Sequence, residues 1–459
     1  MTVLKNIDLN KFFNPKSILI VGVSRKAYTF SYTILKNLLE IIYRGKIFVL
    51  NPNAVEILGV KSYHSLKELP EIPELAVIVL GKHVSETFLK LAKFGVKNIA
   101  IESDLRSETQ DFELIQELNM ISQEYNVSYM GPSMIGIINF INNFTTSIIP
   151  VRQYLMQKHR KIKSGVSFIA QSGGLAGAMG WWAPSQDIPI SKVIHLGYGF
   201  DISDADVLEF FIEDDTTQVI LLYLREITDA IISAVKQLSP LKPVLFFYVG
   251  KDTIRENLLI EAGGMEVSNY IELFEFAKIF LWCPEPRGPN LGIIGPSSGA
   301  IYIIVKEMRK QGLSLAKLSN ENKEKILQKV GGSTCNLGNP VDYWPPERFV
   351  GTKICGIYNT SSYTLLNDDS VEGLILALEF FHEIEFDFNI FEKIRLTYPD
   401  KPIITVLIQA EADGAKRVYK TASELKIPVF NNEVERAVKG YKYLYDWHSK
   451  IKNREKYKK

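Results

Sequence analysis

Ser17-Ile18-Leu19-Ile20-Val21-Gly22-Val23-Ser24-Arg25-Lys26 joins a short apolar run to a glycine turn and two cations. A run of this length that ends in such a turn and passes into a helical stretch opens a βα unit of a parallel sheet. Tyr32, Leu35, Leu38, Leu39 and Ile42 follow at helical spacing, so one face of a crossover helix is expected to lie on the sheet. Strands are expected at Ser17–Val21, Lys46–Leu50, Leu75–Val79, Asn98–Ile101 and Val127–Met130, which together define a first domain over 1–145.

Working outward, the same alternation returns after the polar, basic stretch Arg152 to Ser164. Strands are expected at Gly165–Ala170, Lys192–His195, Gln218–Leu222 and Pro243–Phe247, in a second domain over 160–283. Trp282 to Pro289, rich in proline and glycine, reads as a linker because proline neither continues a helix nor donates to a central strand. A third domain over 288–450 is expected to carry strands at Leu291–Ile294, Gly373–Leu378, Pro402–Leu407 and Pro428–Phe430. Amphipathic helices are expected near 300–313, 385–397, 412–425 and 433–448. The fold class is α/β, with doubly wound parallel sheets.

A length of 459 residues suits three domains of ordinary size. Lys+Arg 53 against Asp+Glu 52 leaves a net charge of +1, so the field that draws nucleic acid or an anionic membrane is missing. Cys283, Cys335 and Cys355 are widely spaced and form no C-x-x-C pair, which argues for reduced thiols rather than a disulfide framework or a zinc site. No apolar run approaches about 18 residues and no signal-type leader is visible, so the expected location is cytoplasmic.

The glycine turn allows two readings: a plain βα turn, or a place where backbone amides and a helix dipole meet a phosphate. It is not a full G-x-G-x-x-G. The next strand ends Asn51-Pro52-Asn53, without the acidic residue that would grip a dinucleotide ribose, so a nicotinamide cofactor loses ground. Gly131 to Gly136 reads equally as a turn closing the cleft or as the exit from the domain.

In the second domain Gln171-Ser172-Gly173-Gly174 joins a strand to a small-residue helix, either as an anion cradle or as an N-cap with no ligand. Asp201, Asp204 and Asp206 lack the order of a cation loop and read as caps for the following helix. Gly295-Pro296-Ser297-Ser298-Gly299 and Asn339-Pro340-Val341-Asp342 are turn-biased segments of the third domain. No phosphate-binding lysine loop of the G-x-x-x-x-G-K-[ST] type occurs, so nucleotide phosphoryl transfer would need another chain.

In this order the blocks resemble the α subunit of ADP-forming acyl-CoA synthetases, itself similar to the α subunit of succinyl-CoA synthetase with a further domain. The blocks are Val21 to Ser24, Asn51-Pro52 with Ile57 to Val60, Gly131 to Asn139, Ala170 to Gly173, Leu196-Gly197, Asp204 to Asp206, Ile220 to Leu224 and Asn339 to Asp342. The resemblance spans Phe13 to Phe430. It implies a Rossmann-like CoA-binding domain followed by two flavodoxin-like domains, with CoA or acyl-CoA as ligand and no metal. CoA would meet Gly22, Val23, Ser24, Arg25, Lys26, Pro52 and Lys82, while Ser172 and Gly173 would hold an anion. Ser133 stands where the family usually has asparagine.

The family passes phosphate from an acyl phosphate to a histidine and then to ADP on an ATP-grasp subunit or domain. That histidine belongs between the Pro243–Phe247 strand and Gly264, where this chain has only Lys251 to Gly263 and no histidine. The expectation is therefore a CoA-binding protein whose phosphocarrier is deleted, the alternative being a working acetate- or acyl-CoA ligase α subunit with an ATP-grasp β subunit. Glu226, or Arg225 in an ungapped alignment, occupies the place of the carboxylate that orients the histidine. His195 is the one surrogate worth testing, with a structural role as its competing reading; the remaining histidines, His64, His83, His159, His382 and His448, read as surface or packing residues. A homo- or hetero-oligomer is compatible with all of this.

Overall fold

The computed structural model describes residues 7–103, 108–151, 162–330, 338–343, 351–379 and 386–458. Cys335, His159, His382 and most of the basic stretch after Val151 lie outside them. The chain forms two compact units, Met1–Leu273 and Phe274–Lys459. Every strand expected from the sequence is present with its ends shifted by at most two residues, and seven strands of two to four residues join them. These additions are too short to show a periodicity of their own.

The first sheet contains β1 (Ser17–Val21), β2 (Lys46–Leu50), β3 (Glu56–Ile57), β4 (Val60–Tyr63), β5 (Leu75–Ile78), β6 (Asn98–Ile101) and β7 (Ser128–Met130) in the order β3-β4-β2-β1-β5-β6-β7. All five residues of β1 are buried, as a central parallel strand covered on both faces requires. Chain order reverses between β1 and β5, which opens a crevice at the carboxyl ends of these two strands.

The crossover helix Phe30–Glu40 packs a different face from the one expected. Its buried positions are Ile34, Leu35 and Leu38, continued by Ile41, while Leu39 is 38% and Ile42 50% exposed. At 100° per residue, Leu35 and Leu38 share a stripe with Ile34 rather than with Leu39, and Ile42 already lies beyond the helix at φ 58°. Asn37 is buried on the same helix. Its amide donates to Ser147 O (2.9 Å) and Ile149 O (2.8 Å), and its Oδ1 accepts Val151 N (3.0 Å), holding the connection that leads toward the second sheet.

The second sheet comprises β8 (Gly136–Asn139), β9 (Phe144–Thr145), β10 (Gly165–Ala170), β11 (Ile190–His195), β12 (Thr217–Leu224), β13 (Val244–Tyr248) and β14 (Met265–Glu266), ordered β14-β13-β12-β10-β11-β8-β9. The hairpin β8–β9, within the segment 1–145, adds antiparallel to β11 and so belongs to this sheet. Helix Asp204–Glu213 begins with a capping box, Ser203 Oγ receiving Asp206 N while Asp206 Oδ2 receives Ser203 N. Of the three aspartates expected as caps, only Asp206 caps. Asp201 Oδ2 accepts Tyr129 N (2.7 Å) on edge strand β7, and Asp204 Oδ2 accepts Gln171 Nε2 (2.9 Å).

In the second unit, β15 (Asn290–Gly295), β16 (Ser314–Leu315), β17 (Val341–Asp342), β18 (Gly373–Glu379), β19 (Ile403–Ile408) and β20 (Val429–Asn431) make a parallel sheet in which β16 and β17 share one side of β15. Asn339 fixes the turn into β17, accepting Ile293 N (3.1 Å) and donating to Leu291 O (3.0 Å) and Ala316 O (2.9 Å). Helix Tyr270–Trp282 extends into this unit, where Phe276 and Phe280 meet Tyr443 and Trp447 edge-on. The segment 283–289 has no regular structure, in keeping with its prolines.

Candidate functional site

Register alone gathers the first group of expected residues. Val21 is paired with Leu50 and with Ile78, so the segments that follow these residues emerge side by side at the carboxyl edge of the first sheet. Gly22, Pro52 and Lys82 lie on those three segments, at the crevice where chain order reverses.

Gly22 has φ 93°, and a Cβ there would stand 2.5 Å from Leu80 Cδ2 and 2.7 Å from Val79 O. Only glycine lets β1 turn this close to the β5 exit. Val23 is fully buried, so it can offer a ligand only its backbone. Asn51 Nδ2 donates to Val23 O (2.7 Å), Ser24 N to Ser31 Oγ (3.1 Å) and Lys26 N to Ser24 Oγ (3.0 Å), which set the turn from within. The hydroxyl of Thr29, the residue before helix Phe30–Glu40, donates to Lys26 O (2.9 Å) and does not cap the helix. The helix start therefore has no side-chain cap; Arg25 and Lys26 on the loop before it are exposed, as is Lys82 on the segment after β5. Uncapped amides with nearby cations can hold an anionic group.

The sequence reading missed two supports of this cleft. Ser103 Oγ accepts Leu80 N (3.0 Å), which fixes the loop before Lys82, and the ring Nδ1 of His64 donates to Pro52 O (3.1 Å). Both are long-range contacts with no local pattern.

At the carboxyl edge of the second sheet, Ser172, His195 and Glu226 follow or end β10, β11 and β12, which are neighbours. Gln171 binds this edge together. Its Oε1 accepts Arg225 N (2.7 Å) and Glu226 N (2.9 Å), and its Nε2 donates to Asp204, whose carboxyl burial pushes above the usual range. Gln171, Gly197, Tyr198, Asp204, Arg225 and Glu226 border a cleft of about 450 Å³. Ser172 precedes the short helix Gly173–Ala178 without a side-chain capping bond, so the N-cap reading gains no hydrogen bond.

His195 does not meet the carboxylate. Its Nδ1 accepts the backbone N–H of Ile135 (2.9 Å), and burial pushes the ring down to about 4. The segment expected to lack the phosphocarrier is regular: after β13, Asp252 caps helix Thr253–Glu261 by accepting Arg255 N (3.0 Å), and Arg255 pairs with Asp229 (2.7 Å). Among the described residues no cluster of three or more His, Cys, Asp or Glu could hold a metal ion, and no helix is long and apolar enough to cross a membrane.

Comparison with known proteins meets this geometry. Residues 16–139 match the CoA binding domain family, and residues 163–257 match the succinyl-CoA ligase like flavodoxin domain. The chain is 28% identical over 454 residues to acetate–CoA ligase [ADP-forming] II of Archaeoglobus fulgidus, covering 93% of this chain but 65% of that protein, just under two thirds of its length. It is 26% identical over 488 residues to the α subunit of acetate–CoA ligase [ADP-forming] I of Pyrococcus furiosus, covering 98% and 100% of the two chains. The dinucleotide-forming acetyl-coenzyme A synthetase 1 of Ca. Korarchaeum cryptofilum, in its apo form, shares the fold with a TM-score of 0.85 at 22% identity, over 97% of this chain and 99% of that one. With a CoA binding domain on the first sheet, a succinyl-CoA-ligase-like domain on the second and an α subunit matched end to end, the chain is a homologue of ADP-forming acetate–CoA ligases.

Proposed function

We propose that this chain binds CoA or an acyl-CoA at the carboxyl edge of its first sheet and carries no phosphate on histidine. Gly22, Val23 and Ser24 would present backbone to the pyrophosphate, Arg25, Lys26 and Lys82 would balance its charge, and Pro52 would line the wall. The observation that carries the second half is the connection from β13 to β14. A capped helix and two short turns fill it, and none of its residues is a histidine. His195 is a poor substitute. An Nδ1 that accepts a backbone N–H leaves the ring proton on Nε2, so the nitrogen facing away from that bond has no free lone pair for attack.

Two measurements test this. Calorimetry with the full chain should show CoA binding, and its absence at millimolar CoA overturns the first half. Incubation with labelled ATP and an ATP-grasp partner, or with labelled acetyl phosphate, should leave no acid-labile, base-stable label. Such a label on the chain overturns the second half.

The competing reading is a working ligase subunit, in which an ATP-grasp partner supplies the nucleotide site and the Ser172 loop receives phosphate. It is favoured by the edge that Gln171 holds together, with Glu226 beside it. Acyl-CoA-dependent ATP formation with such a partner, lost in Glu226→Gln, would establish it. We also propose the three segments 1–145, 160–283 and 288–450 as the domains of the chain, the first lending its hairpin β8–β9 to the sheet of the second.

A further inference from the structure

Tyr28 stands out on the loop between Gly22 and the crossover helix. It is 98% exposed and has φ 66°. A bulky side chain at positive φ costs roughly 1 kcal/mol that glycine would avoid. Burial returns nothing, since no ring of the described residues packs on it. The residue adjoins Thr29, at the uncapped start of the helix, and Arg25 and Lys26 on the same loop are exposed. Phe30, the first residue of the helix, is 48% exposed, so the loop and helix start present an aromatic and cationic rim to solvent. A strained, solvated aromatic beside an anion-holding turn suits a ligand that carries a planar base near its phosphates.

We propose that Tyr28 stacks on the adenine ring of the coenzyme, so that the site selects free CoA and its thioesters over phosphopantetheine arms that lack the nucleoside. This rests on the CoA reading of the first sheet. The pyrophosphate at the helix start lies one ribose from the base, and Tyr28 lies two residues before Phe30, where that helix begins. Arg25 and Lys26 serve the phosphates, while Tyr28 covers the π-face of the base. The loop thus separates two tasks, charge on Arg25 and Lys26 and shape on Tyr28.

The test uses the full chain with CoA, 4′-phosphopantetheine and 1,N6-etheno-CoA, whose fluorescent base reports stacking. Tyr28→Gly is safe for the fold because glycine accepts the positive φ, and its melting temperature without ligand should equal or exceed that of the parent. Its CoA affinity should fall about ten-fold, the order expected for loss of one base–aromatic stack, with phosphopantetheine binding unchanged. Quenching of bound etheno-CoA should weaken in Tyr28→Gly and persist in Tyr28→Trp. CoA binding and quenching in Tyr28→Gly equal to the parent overturn the stacking role and leave the CoA site intact. A parent chain that binds neither CoA nor etheno-CoA overturns the CoA reading itself.

Discussion

The Nδ1 of His195 accepts the backbone N–H of Ile135 at 2.9 Å, tying the last residue of β11 to the segment that enters β8. The bond requires a ring nitrogen without a proton, so the fold holds the neutral imidazole. Burial supplies the cause, pushing the ring from its ordinary 6.5 down to about 4. As pH falls through 6.5, the unfolded chain takes up a proton that the folded chain refuses until about 4. This contribution to stability is therefore complete above 6.5 and is lost between 6.5 and 4.

Urea unfolding at pH 7 and pH 4.5 should show it. Against the parent, His195→Asn, which keeps an acceptor for Ile135 but cannot titrate, should lose about 2 kcal/mol less stability over that interval. An equal loss in both proteins would show that His195 does not stay neutral in the fold.

Gly22→Val should remove CoA binding and also lower stability by about 2 kcal/mol, because its Cβ would meet Leu80 and Val79 and its φ is 93°. Arg25→Ala should reduce CoA affinity in a salt-dependent way with no change in melting temperature, since Arg25 is exposed. Titrations at low and high salt separate the two effects.

Gly173 and Gly174 should behave differently, although the sequence presents them as equals. A Cβ on Gly173 would stand 2.3 Å from Ile135 Cγ1 and 3.4 Å from His195 Cε1, whereas one on Gly174 would meet nothing within 4 Å. A bulky residue at 173 should thus unsettle the packing around His195, at a cost of about 1–3 kcal/mol. The clean probe of anion binding is Gly174→Val. Phosphate affinity that falls in this variant at constant melting temperature supports a cradle at Ser172, and unchanged affinity removes it.

Lys192 and Asp214 form a pair buried at 4% and 9% side-chain exposure, 2.5 Å apart. Burial opposes the charge on Asp214, yet the Lys192 ammonium and the Thr216 and Thr217 hydroxyls hold its carboxyl below the usual range. Its stabilising contribution is present above the ordinary carboxylate pKa and fades as pH falls through that range. Lys192→Met should cost about 3–5 kcal/mol at neutral pH by stranding the carboxylate. Adding Asp214→Asn should recover part of that loss in chemical denaturation.

The thirteen expected strands, the parallel sheets and the glycine turn after β1 were legible because each is written locally: an apolar run, a turn residue, a helical stripe. The order of blocks along the chain carried the resemblance as well, and the segment Lys251 to Gly263 can be read directly as holding no histidine. What lay beyond reach was every relation between residues distant in sequence. Which face of helix Phe30–Glu40 is inward depends on what it meets, and Asn37 is inward because Ser147, Ile149 and Val151 take up its amide.

The partner of His195 lies sixty residues away, on a segment that reads as a turn, and no spacing rule connects them. Asp201, Asp204 and Asp206 look alike in sequence, and the fold gives one to an edge strand, one to Gln171 and one to a helix cap. The sequence by itself determined the α/β class, the positions of thirteen strands and the chemistry available at each turn, because hydrophobic periodicity and turn propensity act over a few residues. Only the tertiary structure decided which turns share an edge, which glycine faces inward and which nitrogen of His195 is occupied, because sheet order and register bring together groups that the chain holds far apart.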